Sequence, residues 1–203
     1  MIAIIDYGLG NVKAFANVYK RLNLPIVIAK EASALDAATK IILPGVGAFD
    51  YAMTLLDNSG MREKLEYCVL EQGVPVLGIC VGMQILANSS EEGSLAGLGW
   101  ITGKVRKFQS EQIHTNPLPH MGWNTVTPKA TTTIFQDMQP TERFYFLHSY
   151  YFDCDQSSHT IATANYGADF TCSVNKNNIY GVQFHPEKSH QAGVQLLKNF
   201  GTL

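Results

Sequence analysis

The chain has 203 residues, of which 46% are hydrophobic and 16% are charged, and its formal net charge is −2. This length and composition are typical of a globular protein with one substantial core, so we predict a single domain over residues 1–203. The charge is nearly balanced and the sequence has no run rich in lysine and arginine. Nucleic-acid binding is therefore not predicted.

The first residues, "MIAIIDYGLGN", are predicted to form a strand rather than a signal peptide. They contain no basic segment and reach Asp6 after a short apolar run. No apolar stretch approaches the ~20 residues that span a bilayer. We therefore expect a soluble, cytoplasmic protein that does not contact a membrane.

The first half of the chain alternates short apolar runs with helical patterns. The runs are rich in β-branched residues and lack polar alternation, which favours strands buried on both faces. The predicted strands are 2–5, 26–29, 40–44 and 74–80. The predicted helices are 12–22, 48–57 and 61–72. This order predicts an open, mostly parallel α/β sheet with helices on both faces.

After about residue 95 the predicted strands follow one another closely. They lie in "GLGWITGKVRKF", "RFYFLHSYYFD", "TIATANYG", "FTCSVNK" and "IYGVQF", and "KNN" at 176–178 is typical of a hairpin turn. We expect an antiparallel extension of the sheet in this half and a closing helix near 189–200.

The sequence contains no pattern typical of a metal, a disulfide or a nucleotide cofactor. Its four cysteines show neither a CxxC pair nor metal-ligand spacing. "DYGLGN" (6–11) resembles half of a dinucleotide fingerprint, but Lys13 occupies the position of the third glycine. Three cysteines, Cys68, Cys154 and Cys172, are expected to be small buried residues.

Cys80 has a different setting, between Gly78 and Gly82 in "GICVGMQ", where a predicted strand ends and a helix can begin. Hydrolases hold a nucleophile on such a turn, since flanking glycines allow the strand and the helix to approach closely. A helix N-terminus also favours a thiolate. The pattern indicates a nucleophile, although a small core residue in an apolar turn remains an alternative.

A nucleophile needs a base, and His185 in "GVQFHPEKS" ends an apolar strand. Residues two apart in extended backbone point to the same side, and proline biases the preceding residue toward that conformation. We therefore predict that Glu187 orients His185, which takes the proton of Cys80. The alternative is a structural histidine followed by a carboxylate at a helix N-terminus.

Oxyanion donors are predicted in "LPGVGAFD" (43–50), which ends another parallel strand. Gly45 and Gly47 leave backbone N–H groups unshielded at the sheet edge where open α/β folds place their sites. A plain tight turn is the alternative.

Together these motifs resemble the class I, or triad, glutamine amidotransferases, and most closely the glutaminase subunits of imidazole glycerol phosphate synthases. The similarity covers nearly the whole chain, and "PHMGWN" and "FHPEKS" are its most specific parts. It implies a flavodoxin-like α/β fold and a Cys-His-Glu triad formed by Cys80, His185 and Glu187.

The resemblance also implies how the substrate is held. Backbone N–H groups near Gly47 and Val81 would stabilise the oxyanion, and Val81 replaces the leucine usual in such subunits. The residues implied to hold glutamine are Gln84, Glu92 and the backbone around Gly47, Ser149 and Tyr150.

A partner is implied as well, because ammonia released into water would be protonated and lose its nucleophilicity. The resemblance implies a heterodimer with a (β/α)8-barrel synthase subunit that makes imidazole glycerol phosphate and AICAR in histidine biosynthesis. The interface residues implied are Asn11, Trp123, Tyr145 and Lys188.

Three alternatives remain open at this point. A paralogous subunit would supply ammonia for acetamidino-sugar formation in surface polysaccharide synthesis. A stand-alone cysteine hydrolase would act on peptides or γ-glutamyl compounds. A catalytically silent binding subunit would have no use for an intact triad.

Overall fold

The first half of the chain forms the predicted α/β pattern. The structure, a computed structural model, describes residues 1–113, 116–129, 133–139 and 141–203. The elements of the first half are β1 (Ile2–Ile5), α1 (Val12–Arg21), β2 (Ile26–Ala29), β3 (Lys40–Gly45), α2 (Phe49–Asn58), α3 (Arg62–Glu66) and β4 (Val76–Cys80). A 3₁₀ turn at Ala32–Leu35 precedes β3, and a π-helical turn at Tyr67–Glu71 continues α3.

The second half is mainly strand, as the sequence predicts. Its helices are α4 (Val81–Gln84), α5 (Ser110–Ile113) and α6 (His190–Gly201). Its strands are β5 (Ser89–Ser90), β6 (Gly103–Lys107), β7 (His120–Thr125), β8 (Thr127–Pro128), β9 (Arg143–His148), β10 (Tyr150–Cys154), β11 (Thr160–Tyr166), β12 (Ala168–Lys176) and β13 (Ile179–Val182). Short 3₁₀ turns lie at Thr133–Phe135, Ser157–His159 and Pro186–Lys188.

An eight-stranded sheet runs through the molecule in the order β2-β1-β3-β4-β13-β12-β11-β8. The pairs from β2 to β13 are parallel, and those from β13 to β8 are antiparallel. The predicted parallel sheet with an antiparallel extension is therefore confirmed. Since β4 and β13 are parallel neighbours, Cys80 at the end of β4 and the segment that follows β13 meet at one edge of the sheet.

One predicted strand is divided in the structure. "RFYFLHSYYFD" forms β9, which pairs with β7, and β10, which pairs with β6 in a separate sheet. The chain changes sheet at Ser149, between the two strands. Both strands continue the same run of aromatic residues, so hydrophobic periodicity could not show the break. The break is useful because it brings Ser149 and Tyr150 to the edge where Cys80 lies.

The core forms where the sequence pattern predicts it. The strands β1 and β4 are buried along their whole length. The face that α1 buries includes Val12, Phe15, Val18 and Tyr19, and α1 packs against α6. Within the described ranges, we find no helix long and apolar enough to cross a membrane.

The predicted turn between β12 and β13 is also confirmed. Asn177 has a φ of +54° and, with Asn178, connects two strands that pair in an antiparallel hairpin. Asparagine tolerates this left-handed conformation better than most residues.

Candidate active site

The candidate nucleophile lies on a strained turn. Cys80 ends β4 with φ 57° and ψ −115°, outside the regions that residues with a side chain normally adopt, and α4 starts at the next residue. Such a conformation costs about 1–3 kcal/mol and persists only where the surroundings enforce it. The helix is a single turn, Val81–Gln84, and the side chain of Cys80 is almost buried.

Close packing of glycines enforces this turn. A Cβ at Gly78 would lie 2.5 Å from the carbonyl oxygen of Gly82, and one at Gly82 would overlap the carbonyl oxygen of Leu43. Gly45 pairs with Cys80 across β3 and β4, and a Cβ there would lie 2.6 Å from the backbone nitrogen of Gly82. The glycines therefore let three backbone segments meet beside the sulfur, and Gly45 packs behind the site.

The predicted base and its carboxylate are in contact, but not by the predicted geometry. Nδ1 of His185 lies 3.0 Å from Oε1 of Glu187, and both side chains are at most 3% exposed. His185 itself has the extended backbone expected before proline. The expectation that this conformation continues to residue 187 is wrong, since Pro186 begins a 3₁₀ turn. Proline suits the first position of such a turn, because its φ is fixed and it lacks an N–H donor.

The electrostatics of His185 favour the protonated imidazole. Burial alone would lower the pKa of His185, but its hydrogen bonds to Cys80 and Glu187, with their negative charges, raise it to about 9. A thiolate paired with an imidazolium is the state in which a cysteine is nucleophilic near neutral pH.

A second polar chain reaches the sulfur from the other side. Gln183, which is fully buried, has its Nε2 3.9 Å from Sγ of Cys80. Its Oε1 accepts a hydrogen bond from Nε2 of Gln84 at 3.0 Å, and the same nitrogen donates to the carbonyl oxygen of Tyr150 at 3.2 Å. Gln84 is thus connected to the nucleophile through Gln183, and it bonds the segment after β9 directly.

Two buried histidines support that segment. Nδ1 of His148 lies 2.7 Å from the carbonyl oxygen of Tyr150, which only accepts, so this nitrogen carries the proton. Nε2 of His148 then accepts from Nδ1 of His120 at 3.0 Å, and Nε2 of His120 accepts from the side-chain amide of Asn124 at 3.2 Å. The hydrogen-bond pattern assigns a single tautomer to each ring.

Both of these histidines are neutral near pH 7. Burial lowers the pKa of His120 to about 4. Burial, together with the charges of its neighbours, lowers that of His148 to about 3. They therefore connect strand β7 with the loop at Ser149 without adding charge to the site.

Glu92 is held by reciprocal contacts between its loop and the start of α2. Its Oε2 accepts from the backbone N–H of Phe49 at 2.8 Å. Asp50 accepts in turn from the backbone N–H groups of Ser94 at 2.9 Å and Leu95 at 3.0 Å, and these bonds lower the pKa of Asp50. The position of Glu92 therefore depends on Asp50.

The predicted oxyanion loop borders the same space. Gly47 has a φ of +102°, which favours glycine, and Val46 beside it is 41% exposed. The buried hydroxyl of Tyr7 donates to the carbonyl oxygen of Pro44 at 2.8 Å and anchors the start of this turn. Val81, in the first turn of α4, has a backbone N–H without a partner inside the helix.

These groups surround one cavity of about 320 Å³. Of the predicted site residues, it is lined by Gly47, Cys80, Val81, Gln84, Glu92, Ser149, Tyr150, His185 and Lys188. Val46, Pro119, Leu147 and His148 complete the lining. Gly45 and Glu187 support the cavity from behind.

Three of the four predicted interface residues lie together beside this cavity. Nζ of Lys188 lies 5.5 Å from the ring centre of Tyr145, whose backbone oxygen accepts from the N–H of His185 at 2.8 Å. Trp123 is 38% exposed and stacks on His190 with ring centres 5.0 Å apart. Asn11 lies apart from them and caps α1 by accepting from the N–H of Ala14 at 3.3 Å.

Sequence reasoning overlooked several residues of this arrangement. Gln183 is two residues before His185 in "GVQFHP", a spacing that indicates a shared side and could have identified it. His120 and His148 lie in "PHMGWN" and "FYFLHSYY", but nothing in one sequence pairs two residues 28 positions apart. The sequence around Tyr7, "DYGLGN", did not indicate its role, because its hydrogen-bond partner is a backbone carbonyl and not a recognisable side chain.

No cluster of three or more metal-binding side chains occurs in the part of the chain that the structure describes. The polar groups around the cavity are instead arranged for nucleophilic chemistry on an organic substrate. A thiol, a paired imidazole, a carboxylate and backbone N–H groups are the components of an acyl-transfer site.

The sequence matches the Glutamine amidotransferase class-I family over residues 3–202. The imidazole glycerol phosphate synthase subunit HisH of Bdellovibrio bacteriovorus is 57% identical over 204 residues, which cover 100% of both chains. The subunit of the same name from Leptospira interrogans is 53% identical, again with 100% of both chains covered. A solved glutamine amidotransferase structure shares the fold, with a TM-score of 0.73, 16% identity and 98% of each chain covered. The chain therefore belongs to the class-I glutamine amidotransferase family.

Proposed function

We propose that this chain is the glutaminase subunit of an imidazole glycerol phosphate synthase, acting in the cytoplasm as one glutamine amidotransferase domain over residues 1–203. The observation that carries the proposal is the convergence of Cys80, His185 and Glu187 at a cavity of about 320 Å³. The names of the two full-length relatives, both HisH subunits, support the choice of pathway.

The cavity suits the amino-acid end of glutamine. Both hydrogens of the Gln84 side-chain nitrogen are engaged by Tyr150 and Gln183, so its oxygen is the atom that it can offer a ligand. One carboxylate oxygen of Glu92 accepts a hydrogen bond from the backbone N–H of Phe49, and the other can accept one from a ligand. These two acceptors suit the α-ammonium group of glutamine, while backbone groups of Ser149 and Tyr150 complete the site.

The first half of the reaction follows from this arrangement. The thiolate of Cys80 attacks the side-chain amide carbon of glutamine, and N–H groups of Val81 and the Gly47 turn stabilise the oxyanion. The imidazolium of His185 gives its proton to the departing nitrogen, and ammonia leaves. A glutamyl thioester remains on Cys80.

The second half returns the enzyme to its starting state. His185, now neutral, takes a proton from water, which attacks the thioester carbon. The tetrahedral intermediate collapses, glutamate leaves, and the thiolate and imidazolium are restored. Glu187 stabilises the imidazolium and fixes the ring orientation throughout, as in other catalytic triads.

The ammonia requires an acceptor site nearby, and we assign its use to a (β/α)8-barrel synthase subunit in a heterodimer. The cluster of Trp123, Tyr145, Lys188 and His190 offers the partner an aromatic surface next to His185. Enrichment in aromatic side chains is typical of interface centres. We place Asn11 at the edge of the same interface.

A paralogous role in acetamidino-sugar formation would use the same glutaminase chemistry, so the acceptor decides between the pathways. The test mixes the purified chain with candidate synthase subunits and ¹⁵N-amide glutamine and follows the label by mass spectrometry. We expect the label in imidazole glycerol phosphate. Label found in an aminated sugar alone would assign the chain to the surface-polysaccharide pathway.

The glutaminase activity itself is tested by glutamate release in the presence of the partner. Cys80→Ala and His185→Ala should each abolish detectable release, because one removes the nucleophile and the other the proton donor. Full turnover in the cysteine variant would contradict the mechanism. Rapid cleavage of large γ-glutamyl compounds without a partner would instead indicate a stand-alone hydrolase.

A further inference from the structure

Building on the proposed glutaminase function, we propose that the side-chain amide of Gln183 is a catalytic group that donates a hydrogen bond to the Cys80 thiolate. Gln183 follows β13 and is fully buried, with Nε2 3.9 Å from Sγ of Cys80. This amide would act beside the imidazolium of His185, whose interaction with Cys80 raises the pKa of the ring.

The hydrogen-bond chain determines which end of the amide faces the sulfur. The carbonyl oxygen of Tyr150 cannot donate, so the Gln84 atom beside it is the amide nitrogen. The second hydrogen of that nitrogen points to Gln183 at 3.0 Å, which requires the oxygen of Gln183 there. The NH₂ group of Gln183 is therefore the end that faces Cys80, as a donor.

A donor in this place stabilises the charged form of the nucleophile. The contact is long, as hydrogen bonds to the large sulfur atom are, but the surroundings are buried and the local dielectric is low. A net hydrogen bond to a charged group is worth on the order of a tenfold change in an equilibrium. The amide carries no charge of its own, so it favours the thiolate without competing with His185 for a proton.

The backbone holds Gln183 in this orientation. Its N–H donates to the carbonyl oxygen of Cys172 on β12 at 2.9 Å. The next residue, Phe184, packs against Phe144 with ring centres 4.1 Å apart. The amide is thus fixed before substrate binds, which is the property expected of a preorganised catalytic donor.

The test measures the rate of Cys80 alkylation by iodoacetamide as a function of pH, in the isolated chain, with the modified peptide identified by mass spectrometry. Gln183→Met keeps a similar side-chain volume but removes the donor. We expect its alkylation rate at pH 7 to fall roughly tenfold and its half-maximal rate to move up by about one pH unit, because the thiolate loses a hydrogen bond. At high pH the rate should recover.

Gln183→Glu provides a second variant of nearly the same shape. A carboxylate oxygen beside the sulfur repels the thiolate, so the upward shift should exceed that of Gln183→Met. The other titratable groups near the sulfur are His185, with Glu187 in contact with it, and Tyr7. The same cavity is also lined by Glu92, His148, Tyr150 and Lys188. None of these residues is replaced in either variant.

Ser173→Ala is the matched control. Ser173 is also fully buried, on the neighbouring strand β12, and its hydroxyl donates to the carbonyl oxygen of Gly181 at 2.8 Å rather than to Cys80. We expect this variant to lose a similar amount of stability and to keep the wild-type alkylation profile. Circular dichroism establishes that each variant is folded.

An unchanged half-maximal pH in Gln183→Met would overturn the proposal. An equal fall in alkylation rate at every pH would also overturn it, because it would indicate altered access of iodoacetamide to Cys80 and not a less stable thiolate. If neither variant folds, the side-chain NH₂ resonances of Gln183 in the wild-type protein decide. They should shift strongly on alkylation of Cys80, and their insensitivity would overturn the proposal. Alkylation needs no glutamine turnover, so these outcomes are independent of the proposed function.

Discussion

At the scale of single residues, the site depends on how neighbours set the charge of two side chains. His185 holds its proton through contact with Cys80 and Glu187, which raise its pKa to about 9 against the effect of burial. Burial keeps His148 neutral, and the positive charge of the nearby His185 adds to this effect. Each of these shifts leads to a measurable dependence on pH.

Glu187→Gln should lower kcat about 10- to 100-fold, because the imidazolium loses its stabilising carboxylate. The pKa of His185 falls with it. Since the proposed mechanism needs protonated His185, activity should disappear as pH rises through that pKa. The alkaline limb of the pH–rate profile should therefore move to lower pH. The measurement is kcat/KM for glutamine between pH 6 and 10 with the partner present. An alkaline limb unchanged from wild type would contradict this role of Glu187.

His148→Gln should weaken the dependence of stability on acid. His148 has its pKa lowered from 6.5 to about 3, so the unfolded chain binds the proton more readily than the folded one. The contribution of neutral His148 to the free energy of unfolding is complete above pH 6.5 and is lost as pH falls toward 3. The loss between pH 7 and pH 5 is about 2 kcal/mol. Urea unfolding at these two pH values should show a loss about 2 kcal/mol smaller in the variant. Equal losses would contradict the assignment.

The residues that the sequence identified are those whose neighbours along the chain reveal their setting. Cys80 is flanked by glycines, and Glu187 is two positions from His185. Gln183, His120 and His148 act across strands that are distant in sequence. Their partners depend on the order of strands in the sheet, which one sequence does not provide.

At the scale of elements, the functional site is assembled by backbone segments that approach closely. The turn between β4 and α4 packs on the end of β3 through Gly45 and Gly82. The start of α2 holds the loop of Glu92 through Asp50. The parallel strands and their helices were predictable from periodicity. The division of β9 from β10 was not, because their aromatic pattern is continuous.

Gly82→Ala should destabilise the protein by about 1–3 kcal/mol, since the added methyl group overlaps the carbonyl oxygen of Leu43. Activity should fall as well, because Cys80 shifts with the backbone. Thermal unfolding and glutamate release measure the two effects. Gly60→Ala is the control, at a φ of +69° with nothing within 4 Å of the new methyl group, and it should retain full activity. A Gly82 variant as stable and active as the wild type would contradict the packing argument.

Asp50→Ala should raise the KM for glutamine about fivefold with a smaller change in kcat, because the lost hydrogen bonds free the loop that positions Glu92. Asp57→Ala is the matched control, since this carboxylate lies at the other end of α2 and bonds Arg62 at 2.7 Å. Steady-state kinetics with the partner separate the two constants. A fall in kcat alone would point to the chemical step and contradict the assignment.

At the scale of the whole molecule, the sheet has two functionally different edges. The carboxyl edge of the parallel strands carries Cys80, the cavity and the aromatic cluster around Trp123. Tyr67 lies in the π-helical turn that leads back to the start of β4, so it belongs to the opposite edge. Its side chain is 51% exposed. We therefore expect the proposed partner to dock on the first edge, where the proposed mechanism releases ammonia.

Trp123→Ala should weaken binding of the synthase subunit about 10- to 100-fold, as expected when a large aromatic group is removed from an interface centre. Isothermal titration calorimetry measures the affinity. Tyr67→Ala removes an exposed aromatic side chain from the opposite edge and should leave the affinity unchanged. If the two substitutions had equal effects, the proposed docking face would be wrong.

The central claim, that Cys80 is the nucleophile of a glutaminase, is tested most directly by a diazo-ketone analogue of glutamine and intact-mass spectrometry, with the partner bound. We predict one adduct per chain, located in the peptide "GICVGMQ", and no adduct in Cys80→Ala. The loss of labelling upon addition of excess glutamine would tie the adduct to the substrate site. A wild-type chain that stays unlabelled, or one labelled at Cys68, Cys154 or Cys172 instead, would contradict the account.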